Sequence, residues 1–248
     1  MKIYFISRKK LIVMLLSVLL LGLFTAILLM RGDDSSVASR VLDPIYQGNS
    51  GEKAVAIAVN VDWGEEYIPQ MLKSFKENQA EVTFFVSGKW AEKNPELLKE
   101  MKAAGHSIQN HGYKHLHLNN ISAEEASEQI RKAEEIINST VGEKPRFFAP
   151  PYGEYNQQLL NVVAALDYEL IMWSIDTIDW QRPDPATIVK RVSNKLHNDA
   201  IILMHPTDPT VKALPAILER IKQDGYKMLT IDKIINQSKG DNIKGDNN

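Results

Sequence analysis

Residues 54–64 read A-V-A-I-A-V-N-V-D-W-G, and this stretch decides the fold. Its first eight residues, Ala54–Val61, are almost wholly apolar and rich in Val and Ile, which is typical of a buried strand. The apolar run ends at a carboxylate, Asp62, followed by Trp63. The stretch therefore predicts a strand that presents a polar side chain at its carboxyl end.

The same arrangement, an apolar run followed by polar residues, recurs along the chain. Further predicted strands are Val82–Val86, Ser107–Asn110, Arg146–Ala149, Leu170–Ser174, Ala200–Met204 and Lys227–Thr230. Helical patterns lie between or after them, at Pro69–Asn78, Asn94–Gly105, Ser122–Asn138, Asn156–Leu166, Pro185–Leu196, Val211–Asp224 and Asp232–Gln237. Repeated strand-then-helix order predicts a parallel sheet with helices outside it.

Candidate site residues follow five of these strands: Asp62, His111, Pro150, Asp176 to Asp179, and His205. Barrels of alternating strands and helices place their active sites in the loops at the carboxyl ends of the strands. The sequence therefore predicts an α/β fold of the partial or distorted (β/α) barrel type, with these residues at its mouth. A doubly wound open sheet is the alternative, although no glycine-rich dinucleotide-binding loop supports it.

The composition excludes several classes of function. The 248 residues, 44% hydrophobic and 24% charged, suit one globular domain with an appendage. Cysteine is absent, which excludes disulfides, a thiolate metal site, a cysteine nucleophile and a lipid-linked N-terminal cysteine. A net charge of -2 and the lack of a long basic run predict no nucleic-acid partner.

The N-terminal residues read as a membrane anchor. Residues 11–30 carry no charge, and about 20 apolar residues span a bilayer as a helix. Basic residues precede this run and Asp33 and Asp34 follow it, so the positive-inside rule predicts a cytoplasmic basic tail (1–10), a transmembrane anchor (11–30) and an extracellular C-terminal domain. The alternative is a signal peptide cleaved near Val37–Ser39, which would release the domain, but the apolar run is longer than usual for such a signal.

The rest of the chain divides by composition. Residues 31–53 are polar and rich in small side chains, which predicts a linker from membrane to domain. Residues 54–238 form the predicted catalytic-type domain. Residues 239–248 are dominated by Gly, Asn and Asp, which predicts a disordered tail.

His111 and His115 are the clearest metal-ligand candidates. Two imidazoles separated by three residues can bind one Zn²⁺ when the segment turns like a helix or a tight loop. The spacing alone also fits two ordinary surface histidines. His117 is either a further ligand or a solvated neighbour, and His106 is expected to pack at a helix-to-strand junction.

The other candidates each have a structural and a chemical interpretation. Asp62 is a turn cap, a general base or a metal ligand. Residues 150–153, P-P-Y-G, form a rigid turn or direct a backbone N–H at a developing oxyanion. Asp179 and Trp180 form a loop ion pair with a packed indole or belong to the site, and His205 is a buried core histidine or a site residue. Their order and their common position after strands favour the chemical interpretation.

Together these motifs resemble the polysaccharide deacetylase domain, also called the NodB homology domain (carbohydrate esterase family 4). The resemblance covers residues 55–229, and the anchor and the V-D-W-G variant make the chain most similar to the YlxY-like, sporulation-associated branch of Gram-positive bacteria. It implies a distorted β/α barrel that uses Zn²⁺ or a similar divalent ion. The implied reaction removes N-acetyl groups from a cell-wall glycan, either peptidoglycan or a chitin-like N-acetylglucosamine polymer.

The resemblance also implies roles for individual residues. Asp62 corresponds to the general base, and His111 and His115 to the metal ligands. Asp179 would tune the catalytic acid, His205. Tyr152 would contribute its backbone N–H to the oxyanion. The implied substrate-binding residues are Pro151, Trp180 and Leu203, of which Leu203 would line the acetyl pocket.

Two positions depart from the family pattern. Trp63 stands where the family has its metal-binding aspartate, and an indole has no lone pair to offer Zn²⁺. Ala149 stands where an arginine usually pairs with the base, and the sequence offers Arg146 and Arg182 as substitutes. The chain is therefore either an impaired deacetylase or a pseudoenzyme that binds cell-wall glycan, with the aromatic residues Trp63, Trp180, Tyr152 and Tyr155 as stacking faces for sugars.

Overall fold

The computed structural model describes residues 43–235, together with Arg8, Lys9, Met14, Ser17, Val18 and Gly22. The chain divides into two compact units, residues 1–40 and residues 41–248. The predicted tail (1–10), anchor (11–30) and C-terminal tail (239–248) lie wholly or mostly outside the described residues. Among the residues that are described, no helix is both long and apolar enough to cross a bilayer.

Strands and helices alternate through the second unit. The strands are β1 (Ala54–Val61), β2 (Thr83–Val86), β3 (Ser107–Asn110), β4 (Phe147–Phe148), β5 (Glu169–Leu170), β6 (Ile175–Asp176), β7 (Ala200–Met204) and β8 (Lys227–Leu229). The helices are α1 (Ile68–Glu77), α2 (Gly88–Lys93), α3 (Pro95–Ala103), α4 (Ala123–Val141), α5 (Gln157–Ala165), α6 (Pro185–Ser193), α7 (Asp208–Gln223) and α8 (Ile231–Ile234).

The strands form one parallel sheet in the order β5-β4-β3-β2-β1-β7-β6, with β8 paired to β1. The longest strand, β1, lies in the middle and pairs with β2, β7 and β8. The order ends at β5 on one side and at β6 on the other, so the described strands form a curved barrel that is not closed. This confirms the predicted parallel, distorted barrel and excludes a doubly wound sheet.

The two faces of β1 pack against different parts of the core. Val55, Ile57, Val59 and Val61 belong to the cluster formed with the surrounding helices. Alternate side chains of a strand point to opposite faces, and Ala54, Ala56 and Ala58 belong to an inner cluster with Phe85, Phe147 and Ala149. The small alanines on the inner face leave space for the phenylalanines contributed by the other strands of the barrel.

Several predicted elements differ from those observed. The single strand predicted over residues 170–174 is not observed: only Leu170 lies in a strand, β5, and residues 171–174 connect β5 to β6 at the opposite end of the sheet order. An apolar run of five residues is consistent with one strand, and nothing in its composition shows that the chain leaves one edge for the other. The short helix α2 was not predicted either.

The predicted linker (31–53) ends earlier than expected, because residues 45–49 bind to the barrel. Ile45 N–H donates to Leu170 O (2.9 Å), and Met172 N–H donates to Ile45 O (2.8 Å). Gly48 N–H donates to Asp199 O at 2.8 Å. These bonds use only backbone groups, which carry no signal in the sequence.

Candidate active site

The loops after β1, β3, β4, β6 and β7 bring the predicted residues together at the carboxyl end of the barrel. The rings of His111 and His115 lie 5.0 Å apart, and the ring of Tyr152 lies 4.6 Å from that of His115. The ring of Trp63 lies beside that of His205. Asp62 and His205 lie near enough to His115 to influence its pKa, and His205 also influences the pKa of His111. The residues predicted at the strand ends therefore form one cluster.

His111 is held as a neutral imidazole with one free nitrogen. Its side chain is buried, and its Nδ1 lies 2.7 Å from Ala149 O. A carbonyl only accepts, so Nδ1 carries the proton and Nε2 keeps its lone pair. Burial, with the neighbouring His115, lowers the pKa of His111 to about 3. His111 therefore presents the form of histidine that binds a metal.

His115 completes the pair from a turn of unusual conformation. Its φ is 53°, in the left-handed region, which turns its ring back toward His111. Burial lowers the pKa of His115, and this effect outweighs the opposing charge of Asp62. Both imidazoles are therefore uncharged at neutral pH.

Asp62 is oriented by Ser87, which the sequence analysis did not single out. Ser87 Oγ–H donates to Asp62 Oδ1 in a short hydrogen bond, and the same Oγ lies 3.4 Å from the N–H of Trp90 at the start of α2. Ser87 is fully buried and follows β2 directly. It is a polar residue at the end of a strand, so the rule that found the other residues would also have found Ser87.

Trp63 lies in the mouth of the barrel beside His205. The two rings are nearly parallel, 7° apart with centroids 6.3 Å apart, and 38% of Trp63 is exposed. Gly64 allows this arrangement because its φ is 84° and a Cβ there would lie 2.3 Å from Pro206 O. The loops after β1 and β7 therefore pack backbone against backbone, which places the indole against the imidazole.

Asp179 and His205 form the most fully bonded pair of the site. Asp179 is fully buried, and its Oδ1 accepts a 2.7 Å hydrogen bond from His205 Nδ1. Its Oδ2 accepts from the backbone N–H of His205 (2.7 Å) and from Thr210 Oγ (2.5 Å). Because Nδ1 donates to the carboxylate, the other ring nitrogen, Nε2, is the one available to a ligand. Thr210 lies beyond the motif and carries no signal of this role.

The remaining predicted residues occupy several positions around this cluster. Tyr152 is 57% exposed, has a left-handed φ of 61° and stacks on His117 with centroids 3.7 Å apart. Trp180 is 54% exposed. Pro151, Leu203 and Ala149 are buried. Leu203 alternates with Ile202 and Met204, which face the helices, so its side chain faces the interior of the barrel.

Neither substitute arginine bonds Asp62. Arg146 precedes β4 and so lies at the amino end of the strand, where its guanidinium is 3.8 Å from Glu169 and rests over the ring of Phe147. Arg182 is exposed and follows the turn that contains Trp180. His117 is bound at the rim of the site, where its Nδ1 lies 2.8 Å from Glu154 Oε1 and its ring stacks on Tyr152.

The residues present do not fit a catalytic zinc ion. Catalytic zinc sites usually have three protein ligands and one open position. Within the described part of the chain, no group of three His, Asp or Glu side chains is placed to hold a metal ion. The two histidines remain, whereas the position that would complete the set carries an indole.

Comparison with known proteins assigns the family. The model of the polysaccharide deacetylase family matches residues 47–171. The chain belongs to the polysaccharide deacetylase family. A peptidoglycan-N-acetylglucosamine deacetylase of Bacillus cereus is 32% identical over 78% of this chain and 72% of its own length.

Two further relatives are similar to this chain over most of the domain. The uncharacterized protein YlxY of Bacillus subtilis is 40% identical over 79% of this chain, and the match spans 62% of that protein's length. The crystal structure of BA3943 of Bacillus anthracis, a CE4 family pseudoenzyme, is 36% identical with a TM-score of 0.76, covering 78% of this chain and 69% of that one. A mutant of BA3943 with restored enzymatic activity has been solved and matches equally well, with a TM-score of 0.76.

Proposed function

We propose that this protein is a deacetylase-like pseudoenzyme that binds acetylated cell-wall glycan without hydrolysing it. The observation that carries the proposal is the mouth of the barrel, where Trp63 lies against His205 and no third metal ligand is present among the described residues. The likeness to the pseudoenzyme BA3943 supports it. Peptidoglycan is the glycan that the names of several relatives give as substrate.

Glycan binding is supported by the aromatic side chains around the site. Trp63, Tyr152 and Trp180 are among the few exposed large hydrophobic side chains of the described residues. Exposed aromatic rings cost free energy in water and offer flat apolar faces, against which the C–H faces of sugar rings can stack. The site thus keeps surfaces for a glycan although its metal ligands are incomplete.

A weak deacetylase is the second candidate, and the Asp179–His205 pair favours it. The buried carboxylate fixes the imidazole so that Nε2 can give a proton to a leaving amine. Asp62 is also retained and oriented by Ser87. The proton-transfer groups of a deacetylase are therefore present. The divalent metal ion that would polarise the acetyl carbonyl, however, has an incomplete set of ligands.

We propose further that residues 11–30 anchor the protein in the plasma membrane with residues 1–10 in the cytoplasm and the deacetylase-like domain outside. The length of the apolar run and the basic residues before it support this arrangement. Secretion after signal cleavage is the alternative. Fractionation of cells separates the two, because an anchored chain stays with the membrane at its full length.

One set of measurements on the full-length chain in mild detergent tests the function. We expect zinc well below one equivalent per chain, no acetate released from peptidoglycan or chito-oligosaccharides with added Zn²⁺ or Co²⁺, and saturable binding of at least one of these glycans. Acetate release that depends on metal and stops with chelator would establish the weak deacetylase instead. Absence of binding to any wall glycan would overturn both glycan-directed functions.

A further inference from the structure

A groove of about 340 Å³ opens beside the predicted base and is lined by an unusual set of charges. Asp62 and Trp63 form one wall, so the groove continues directly from the mouth of the barrel. The lining also includes three lysines, Lys89, Lys93 and Lys114. No residue of the family motif set contributes a positive charge here, so the three lysines lie outside the residues assigned to the deacetylase chemistry.

The fold holds these lysines close to one another. Lys89 and Lys93 are four residues apart on α2, which puts them on the same face of the helix. Lys114 comes from the loop after β3, and that loop is bonded to the start of α2 through Gly88 N–H to Gly112 O (2.9 Å) and Lys89 N–H to Tyr113 O (3.0 Å). The helix and the loop therefore present the three ammonium groups to one groove.

The acidic neighbours of the groove already have other donors. Asp62 accepts from Ser87 Oγ, Glu65 accepts from Trp90 Nε1 (3.4 Å), and Glu92 accepts from Tyr113 Oη (2.9 Å). Among the described residues, Lys89, Lys93 and Lys114 form no ion pair, whereas nine other lysines and arginines do. Like charges four residues apart on a helix repel each other, and a bound anion relieves that repulsion.

We propose that Lys89, Lys93 and Lys114 make this groove an anion-binding extension of the glycan site, which selects strands whose sugars carry carboxylates over uncharged N-acetylglucosamine polymers. The ligand class is the peptidoglycan strand, whose muramyl sugars bear a carboxylate on the lactyl group or on an attached stem peptide. The proposal rests on the glycan binding proposed above. The groove adjoins Trp63, so a sugar stacked there would carry its neighbour's carboxylate to the lysines.

The test compares three ligands of equal length by calorimetry on the full-length chain in mild detergent. They are a muramyl-containing tetrasaccharide, the same tetrasaccharide with its carboxylates methyl-esterified, and the uncharged N-acetylglucosamine tetramer. We expect the charged tetrasaccharide to bind about ten-fold more tightly than the other two at low salt. The preference should largely vanish at 1 M NaCl, where the screening length falls to about 3 Å. A tetrasaccharide that carries stem peptides identifies the bound carboxylate, because the peptide converts the lactyl carboxylate to an amide. A lower affinity than that of the peptide-free form indicates the lactyl carboxylate, and a higher affinity indicates the carboxylates of the peptide.

The matched variants are Lys89→Gln/Lys93→Gln/Lys114→Gln and a control with the same loss of charge elsewhere, Lys76→Gln/Lys190→Gln/Lys195→Gln. The groove variant should bind the charged tetrasaccharide about ten-fold less tightly and the uncharged tetramer as before, and the control should bind both like the parent chain. Equal binding of charged and uncharged ligands by the parent chain would overturn the lysine proposal while leaving glycan binding intact. Binding of neither ligand would overturn both.

Discussion

Single residues decide whether this site can hold a metal, and Trp63 is the first of them. Its indole replaces the carboxylate that would complete the ligand set, and it lies parallel to the ring of His205. His111 keeps Nε2 free because Nδ1 donates to Ala149 O, so the histidine half of the site is already arranged for a metal. The defect in metal binding is therefore expected to be local rather than spread through the fold.

Replacing Trp63→Asp should restore zinc binding, because it adds a carboxylate next to two neutral imidazoles. We expect an affinity gain of about 100-fold or more, since even outer-shell partners of a metal site are worth about 10–100-fold. Zinc content after dialysis measures it. Trp180→Asp is the control, because it removes another exposed tryptophan of the mouth and should leave zinc content unchanged.

Turnover is expected to require Ala149→Arg as well. In the parent chain Asp62 is bonded by Ser87, and no arginine reaches it among the described residues. Asn60 Oδ1 is buried without a hydrogen-bond partner on the same inner face of β1, where an arginine from β4 could donate to it. We expect acetate release by the double variant to exceed that of Trp63→Asp by about ten-fold or more. Equal rates in the two variants would show that Ser87 already performs the arginine's task.

The loops that follow the strands hold the site residues in place, and Gly64, in the loop after β1, is the clearest case. Gly64→Ala forces a side chain into the left-handed region and to within 2.3 Å of Pro206 O. Gly142, which ends α4 at a φ of 72°, has nothing within 4 Å of a built Cβ and isolates the cost of the backbone conformation. We expect Gly142→Ala to cost about 1 kcal/mol and Gly64→Ala about 1–3 kcal/mol more in urea unfolding. If the two variants lose the same free energy of unfolding, the loop after β7 moves away from the added methyl group without cost.

The start of β2 depends on a buried histidine and gives the domain a pH dependence. The Nδ1 of His106 accepts from Val82 N–H (3.3 Å), and burial lowers the pKa of His106 to about 4. The unfolded chain takes up this proton near pH 6.5 and the folded chain only near pH 4, so stability is full above pH 6.5 and is lost as the pH falls between these values. Between pH 7.5 and 4.5 the loss is about 2 kcal/mol. Glutamine does not titrate, so in urea unfolding the free energy of unfolding of His106→Gln should fall by about 2 kcal/mol less than that of the parent chain over the same pH range.

The sequence was sufficient for the elements whose signal is local. The apolar run ending at Asp62 gave β1 its position, and the same pattern located His111 and His205 at the mouth. The Leu170–Ser174 run was read as one strand because a short apolar segment does not show where the chain changes edge. Ser87 follows the strand-end pattern, whereas Thr210 lies at the start of a helix, where threonine is most often a cap. Both residues also bond site carboxylates.

At the scale of the whole molecule, the unclosed barrel depends on residues 45–49 to connect its two sides. Ile45 pairs with Ile171, next to β5, and Gln47 pairs with Ala200, the first residue of β7. Since β5 and β7 lie on opposite sides of β1 in the sheet order, this short segment joins the two halves of the sheet. The segment was predicted as part of a linker because its polar composition says nothing about backbone hydrogen bonds.

Proline substitution tests this connection with a built-in control. Ile45→Pro removes the N–H that donates to Leu170 O, while Tyr46→Pro lies one residue on, where both bonds of the Ile45 bridge remain possible. We expect Ile45→Pro to lower the free energy of unfolding by about 2–3 kcal/mol and Tyr46→Pro by under about 1 kcal/mol. Hydrogen exchange should quicken at Met172, whose N–H donates to Ile45 O, only in Ile45→Pro. If both variants unfold like the parent chain, the barrel holds its shape without the segment, and residues 45–49 serve only as a path from the N-terminal unit.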